Sequence, residues 1–413
     1  MINISVRQRD SVDNAIEKPS GLNFIDIVVM LFFFAYSLLP AVSAQIEFML
    51  AMLLGVAYLA WLFIVESKWR QQIVLFLGAV ALIALMYRYL TDSTTVSTSA
   101  SNYGIKVLMT TFNQYFMLFF PACLFIRVYT KASYKQKQFL CLLGLVLFSI
   151  VIVNTFTELM TNDRASKDWA NFDEQSENNV GTYSFVYAVP MVITALTSLL
   201  YTLKGAGKKL LVISAIVFMF VFLLSAQYTL ALLISIIGIA LQISASIRTT
   251  AVKLLLWLVF IGGLFLLPTV LDYLANTVQS TQIATRLKEL AAFFGSGDVS
   301  GYNLNGRMEL YWKAIVAFFK SPIIGNRRLG FNPHATLLGV PADIGIIGIS
   351  LVVMMIVKSK KYICELLGDR AKRFVPVVWC LVLMGLTNPI HSAVTTTFAT
   401  WILAPIIIKI GDN

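Results

Sequence analysis

The sequence predicts an all-α polytopic membrane protein of about twelve transmembrane helices. Two observations carry this reading. Of the 413 residues, 58% are hydrophobic and 13% charged, where a soluble domain carries about 25% charged residues. Apolar runs of roughly 18–22 residues also recur along the whole chain, each long enough to cross about 30 Å of hydrocarbon. A transmembrane β-barrel would instead show alternating segments of about ten residues.

Residues 1–21 are polar and lack a small-residue cleavage pattern, so they read as a cytoplasmic tail and not a signal peptide. A nine-helix membrane region follows over 22–271. Its spans lie near 22–43, 44–65, 71–90, 105–127, 138–158, 181–203, 209–226, 228–246 and 252–271. The tight joint SAQYT (225–229) makes the seventh and eighth spans antiparallel neighbours. Between the fifth and sixth lies a polar, mostly acidic loop, 157–179. Residues 272–340 form a long extracytoplasmic loop with two amphipathic segments. In 281–295, Ile283, Leu287, Leu290, Ala291 and Phe294 recur at helical spacing. The second, 307–322, ends at Ser321-Pro322. Both are expected in the membrane interface, as a rim over the bundle. A three-helix region, 341–413, completes the chain, with spans near 341–357, 374–389 and 392–410.

Orientation follows from lysine and arginine. With the N-terminus inside, 21 of the 32 basic residues fall in the inner segments 1–21, 66–71, 127–138, 203–210, 247–253, 358–373 and the C-terminal end. Seven of the rest lie in the long loop, and long loops are largely exempt from the charge rule. Both termini are therefore expected in the cytoplasm. The net charge of +11 is spread in short clusters between spans, as topology determinants are, and does not point to nucleic acid. Cys123, Cys141, Cys364 and Cys380 avoid the outer loops and lack zinc-ligand spacing, so neither a disulfide nor a zinc site is expected.

The unusual polar residues gather on the expected outer face. Arg286, Arg307, Arg327, Arg328 and His334 are in the long loop, Gln227 is at the SAQYT turn, and His391 is in the turn between the last two spans. Asp343 lies just inside the tenth span, and Tyr311 is on the second amphipathic segment. Arginine forks hold phosphate oxygens bidentately. A neutral histidine is a general base near neutral pH, and nearby arginines favour its neutral form. Together these types fit group transfer from a membrane-embedded diphosphate donor. The chain has no P-loop, no GxGxxG and no carboxylate cluster for a metal. Structural readings stay open beside this one. Arg327 and Arg328 also suit lipid headgroup anchors, Arg286 a solvated helix face, Gln227 an interhelical hydrogen bond, Asp343 a helix cap, and His391 a structural role.

The stretch GRMELYWKAIVAFFKSPIIGNRRLGFNPHATLLGVPADIGIIG (306–348) resembles the O-antigen polymerase and O-antigen ligase superfamily. The resemblance rests on Arg307, Trp312, Pro322 with Gly325, His334, and Gly345 with Gly348. It implies a fold of the membrane glycosyltransferase C type in a bacterial cytoplasmic (inner) membrane. It implies metal-independent, cofactor-free transfer of glycan from undecaprenyl diphosphate, with the site facing the periplasm or exterior. On this reading His334 matches the family's proposed base, and Arg307 the arginine on the diphosphate. Donor and acceptor are lipid-linked oligosaccharides, and a flippase and a chain-length regulator are expected partners.

Two departures stand out. Members often carry Ser-Arg where this chain has Ser225-Ala226-Gln227, so Arg286, Arg327 or Arg328 would replace that arginine, with Gln227 beside the diphosphate. Many also have His-Asn where this chain has His334-Ala335. Arg286 to Gly297 fits an Arg-x10-Gly pattern of some polymerases, which favours a polysaccharide polymerase over a ligase acting on lipid A core or protein. A lipid-linked oligosaccharide flippase is the alternative of another class, although its charges would sit mid-membrane and not in an outer loop.

Overall fold

The computed structural model describes residues 21–92, 100–162, 165–167, 177–277, 304–326 and 335–410, together with 284, 287, 288, 291, 292 and 295. Every regular element among the described residues is helical. In chain order these are α1 (Phe24–Leu38), α2 (Pro40–Gln45), α3 (Phe48–Val65), α4 (Arg70–Asp92), α5 (Ala100–Lys131) and α6 (Tyr134–Thr161). Then come α7 (Tyr183–Val186), α8 (Val189–Leu199), α9 (Ala206–Ser225), α10 (Thr229–Ser246), α11 (Thr250–Thr277) and α12 (Leu304–Lys320). The last are α13 (Thr336–Leu367), α14 (Ala371–Thr387), α15 (Val394–Phe398) and α16 (Ala404–Ile410), the final two joined by a π-helical turn.

Among the described residues, seven stretches are long and apolar enough to cross a membrane, and an eighth, Thr250–Gly263 with Pro268–Thr277, is bent by 53°. One of the seven, Thr336–Thr387, is 52 residues long and comprises α13 and α14. A straight helix of that length would reach about 78 Å; instead the chain turns at Gly368–Arg370 and α14 packs back on α13. Three further apolar helical stretches are shorter, at Phe24–Leu38, Tyr183–Leu199 and Val394–Lys409. The first is cut short by Pro40: the residue before a proline is pushed out of the α region, and Leu39 is extended (φ −101°, ψ 110°). The expected amphipathic segment 307–322 is helix α12, whereas most of 281–295 lies outside the described residues.

Helix α8 is the hub, because Val189 to Ser198 are all buried. A helix buried on every side has no solvated stripe, and α8 packs on α9, α10, α14 and α16. Its hydroxyls turn back onto their own helix, Thr194 donating to Pro190 O at 2.8 Å and Thr197 to Ile193 O at 2.8 Å. A second group forms where α5 packs on α4 and on α13. At one end of the bundle the basic residues collect: Lys137 and Lys409 both lie over the Tyr129 ring, and Arg370 donates to Ile408 O at 3.0 Å.

Helix α13 is broken inside the apolar run. Ile344 (φ −124°, ψ 18°) and Gly345 (φ 66°, ψ −166°) leave helical geometry. The freed backbone groups dock on the turn that follows α12. Ile346 N donates to Pro322 O at 2.8 Å, and both Asn326 N and its side-chain amide donate to Ala342 O at 3.1 Å. Non-helical backbone at membrane depth is tolerated where protein satisfies it in this way. The approach is backbone against backbone. A Cβ on Gly325 would overlap the Asp343 carbonyl, and one on Gly345 would overlap the Ile323 carbonyl. Both glycines also hold positive φ, at 76° and 66°. Gly345→Ala is therefore expected to destabilise the protein by about 2–4 kcal/mol. Gly262→Ala, which meets nothing within 4 Å, serves as the control. Thermal unfolding in detergent micelles compares the two, and equal midpoints would refute the close-approach account.

Candidate functional site

The lock between the 322–326 turn and the α13 break fixes how α12 lies on α13. Its inner face is small: Ala314 and Ala317 are buried against Ala342, with Leu338 beside them. The opposite stripe, Met308, Trp312, Val316 and Phe319, is exposed at helical spacing. Tyr311 pins the helix to the far end of α14, its hydroxyl donating to Thr387 O at 2.9 Å. Arg307 lies on α12, and its side chain is outside the described residues.

Just beyond Thr387 the chain turns, and that turn meets the start of α13. Thr336 N donates to Asn388 O at 3.2 Å, and the Thr336 hydroxyl shares a 2.7 Å hydrogen bond with His391 Nδ1. The His391 ring stacks on Tyr115 of α5, with centroids 5.7 Å apart and planes 10° off parallel. Tyr115 stacks in turn on Tyr87 of α4 at 6.3 Å. The Tyr87 hydroxyl donates to Asp343 Oδ2 at 3.4 Å, which returns the chain of contacts to α13. Three helices, α4, α5 and α13, and one turn thus enclose a polar cluster around residues 336–343. Asp343 is only 6% exposed, and Ala335 is fully buried.

Of the sequence-derived candidates, Asp343, His391 and Tyr311 come together here. Asp343 is a hydrogen-bonded residue beside the helix break. Gln227 lies in the α9–α10 turn with φ 59°, a left-handed conformation uncommon outside glycine. That turn is tied elsewhere, through Tyr228 to Ser166 O at 3.0 Å and to the Tyr187 ring. His334, Arg286, Arg327 and Arg328 lie outside the described residues. His334 nonetheless immediately precedes Ala335, so the cluster anchors the chain beside it. Tyr87 and Tyr115 are members that sequence reasoning missed. The available signal was a pair of tyrosines in two apolar helices, each needing a hydroxyl partner when buried.

Burial also decides the charge of His391. Its surroundings disfavour the imidazolium and lower its pKa to about 4 from the usual 6.5. The folded value is depressed, so the unfolded chain takes up the proton first as pH falls. Stability from this group is present above about pH 6.5 and is lost as pH falls toward 4. The unfolding midpoint of the wild type is expected to drop over that window, and His391→Gln is expected to flatten the drop. An unchanged pH profile in the variant would show that another group titrates there.

Among the described residues no group of three or more His, Cys, Asp and Glu is arranged to hold a metal ion. The four cysteines are free. No protein-family model matches the chain, and no curated protein matches it.

Proposed function

We propose that the chain is a membrane glycosyltransferase that polymerises lipid-linked repeat units of a bacterial surface polysaccharide. The observation that carries this is the backbone lock between the 322–326 turn and the α13 break. It gives a physical reason for Gly325 and Gly345 at the motif positions of the O-antigen polymerase and ligase superfamily, and Pro322 between α12 and Gly325 supplies one of its carbonyls. It also holds α12, which bears Arg307, against the helix that begins two residues after His334.

In this proposal the twelve apolar segments, each of which coincides with one or more helices, cross the inner membrane as a glycosyltransferase C-like bundle. Both termini lie in the cytoplasm, and the α12–α13 region faces outward. The exposed stripe of α12 lies against lipid, where a polyprenyl chain travels. Arg307, with Arg286, Arg327 and Arg328, binds the diphosphate of the undecaprenyl donor, and Gln227 lines the same face. His334 takes the proton from the acceptor hydroxyl of a second lipid-linked repeat unit. The acceptor oxygen forms the new bond to the anomeric carbon, and the bond from that carbon to the diphosphate oxygen breaks. Undecaprenyl diphosphate leaves with the electron pair. Asp343, His391 and Tyr311 support the framework without touching substrate.

Surface glycan from a deletion strain, resolved on a gel, tests the reading. Restoration of a ladder of chain lengths by the wild-type protein, against a single repeat unit in the deletion, supports a polymerase. Long lipid-linked chains that accumulate in the deletion without reaching lipid A core would make it a ligase. Repeat units trapped on the cytoplasmic leaflet would make it a flippase.

A further inference from the structure

A cavity of about 340 Å³ opens between α4, α5 and α13, inside the range of about 300–1,000 Å³ typical of ligand pockets. The three helices order its lining in the same sense. On α4 and the turn before it the wall runs from Lys68 to Phe76, on α5 from Thr130 to Phe119, and on α13 from Tyr362 to Met354. Each series thus goes from a polar or amphipathic side chain at the basic end of the bundle to an apolar one deeper in. Eleven residues of α5 span about 16 Å, roughly half of the about 30 Å hydrocarbon thickness and so the depth of one leaflet.

The charge is one-sided as well. Lys68 and Lys358 both line the mouth, and Lys358 makes no ion pair among the described residues. Glu66, two residues from Lys68, is taken up by Arg127 and Lys131. Among the described residues no acid lines the cavity. The charged mouth is set apart from the Asp343 cluster, while the apolar deep end, at Phe119, lies one helical turn from Tyr115 on α5. Along α13 the 15 residues from Asp343 to Lys358 correspond to about 22 Å, and along α4 Tyr87 is further still from Lys68.

We propose that this groove binds one anionic glycerophospholipid of the adjacent leaflet, with an acyl chain between Phe76 and Phe119 and its phosphate between Lys68 and Lys358. Basic pockets between membrane helices bind anionic headgroups in this way, and the apolar depth requires a chain that a free phosphate lacks.

Native mass spectrometry of the full chain in detergent, with phosphatidylglycerol or phosphatidylcholine added, tests it. One retained phosphatidylglycerol per chain is expected, and glycerol 3-phosphate should not compete. K68Q/K358Q should weaken retention by about 25-fold, at about fivefold per lysine. K360Q/K361Q, which removes equal charge beside the groove, should leave it unchanged. Ala122→Phe should block it by filling the wall. Equal retention of phosphatidylcholine, or an equal loss in K360Q/K361Q, would reduce the effect to diffuse charge and overturn the proposal. Competition by glycerol 3-phosphate would overturn it in favour of a headgroup-only site. None of these outcomes depends on the proposed transferase activity.

Discussion

A deletion strain complemented with His334→Ala, at wild-type membrane levels, is expected to show a single repeat unit where the wild type shows a ladder. General-base removal costs about 10²–10⁴-fold in rate, and polymerisation multiplies that loss at every added unit, so long chains should vanish from the gel. His334→Gln should fail equally, because it keeps volume and polarity but takes up no proton. Arg307→Lys should fall between wild type and Arg307→Ala, since an ammonium keeps the charge but cannot fork onto two phosphate oxygens. His391→Gln should retain most of the activity, because His391 braces Thr336 and is placed outside the chemistry. A full ladder from His334→Ala would remove that residue from the reaction and return the transporter reading.

Arg127→Ala is expected to destabilise the fold by about 3–5 kcal/mol, the cost of leaving buried carboxylates without their partner. Arg127 is only 3% exposed and Asp26 1%. The guanidinium grips Asp26 with two bonds, Nε to Oδ1 and Nη2 to Oδ2, each 3.0 Å. Its remaining amino group pairs with Glu66, and the Trp61 ring lies 5.9 Å from the guanidinium carbon. Tyr58 adds a hydroxyl to Asp26 Oδ1 at 2.6 Å. The network therefore ties α1, α3 and α5 at the basic end of the bundle. Thermal unfolding in detergent of Arg127→Ala, Asp26→Asn and the double variant forms a cycle. The double variant should be less damaged than the sum of the singles, because its carboxylate no longer needs the missing charge. Strict additivity would show that the two side chains act independently, against the geometry.

Sequence patterns predict helices well where the cause is local. The apolar runs became helices because burial or lipid on every side is compatible only with a backbone that satisfies itself. The periodicity of 307–322 and the stop at Ser321-Pro322 anticipated α12, which ends at Lys320. Pro40 and the Ile344–Gly345 break were not anticipated as interruptions, because hydropathy averaged over a window does not register one residue. Arg127 illustrates the limit most clearly. In the sequence it is one of a cluster of basic residues that orient a membrane protein, while in the structure it is a buried ion-pair partner of an aspartate 101 residues away.

The chain by itself determined the helical class, the apolar segments, the crowding of basic residues between them and a polar segment ahead of α13. Each of these is a property of neighbours in sequence, set by transfer free energy and helical periodicity. Tertiary structure alone decided that Tyr87 would meet Asp343 across 256 residues and that Thr336 would meet His391 across 55. It also decided that Gly325 would meet the backbone of Asp343 and Ile344, and Gly345 that of Ile323 and Gly325. Such pairings depend on which helix faces pack together, and long-range packing leaves no periodic trace in the chain.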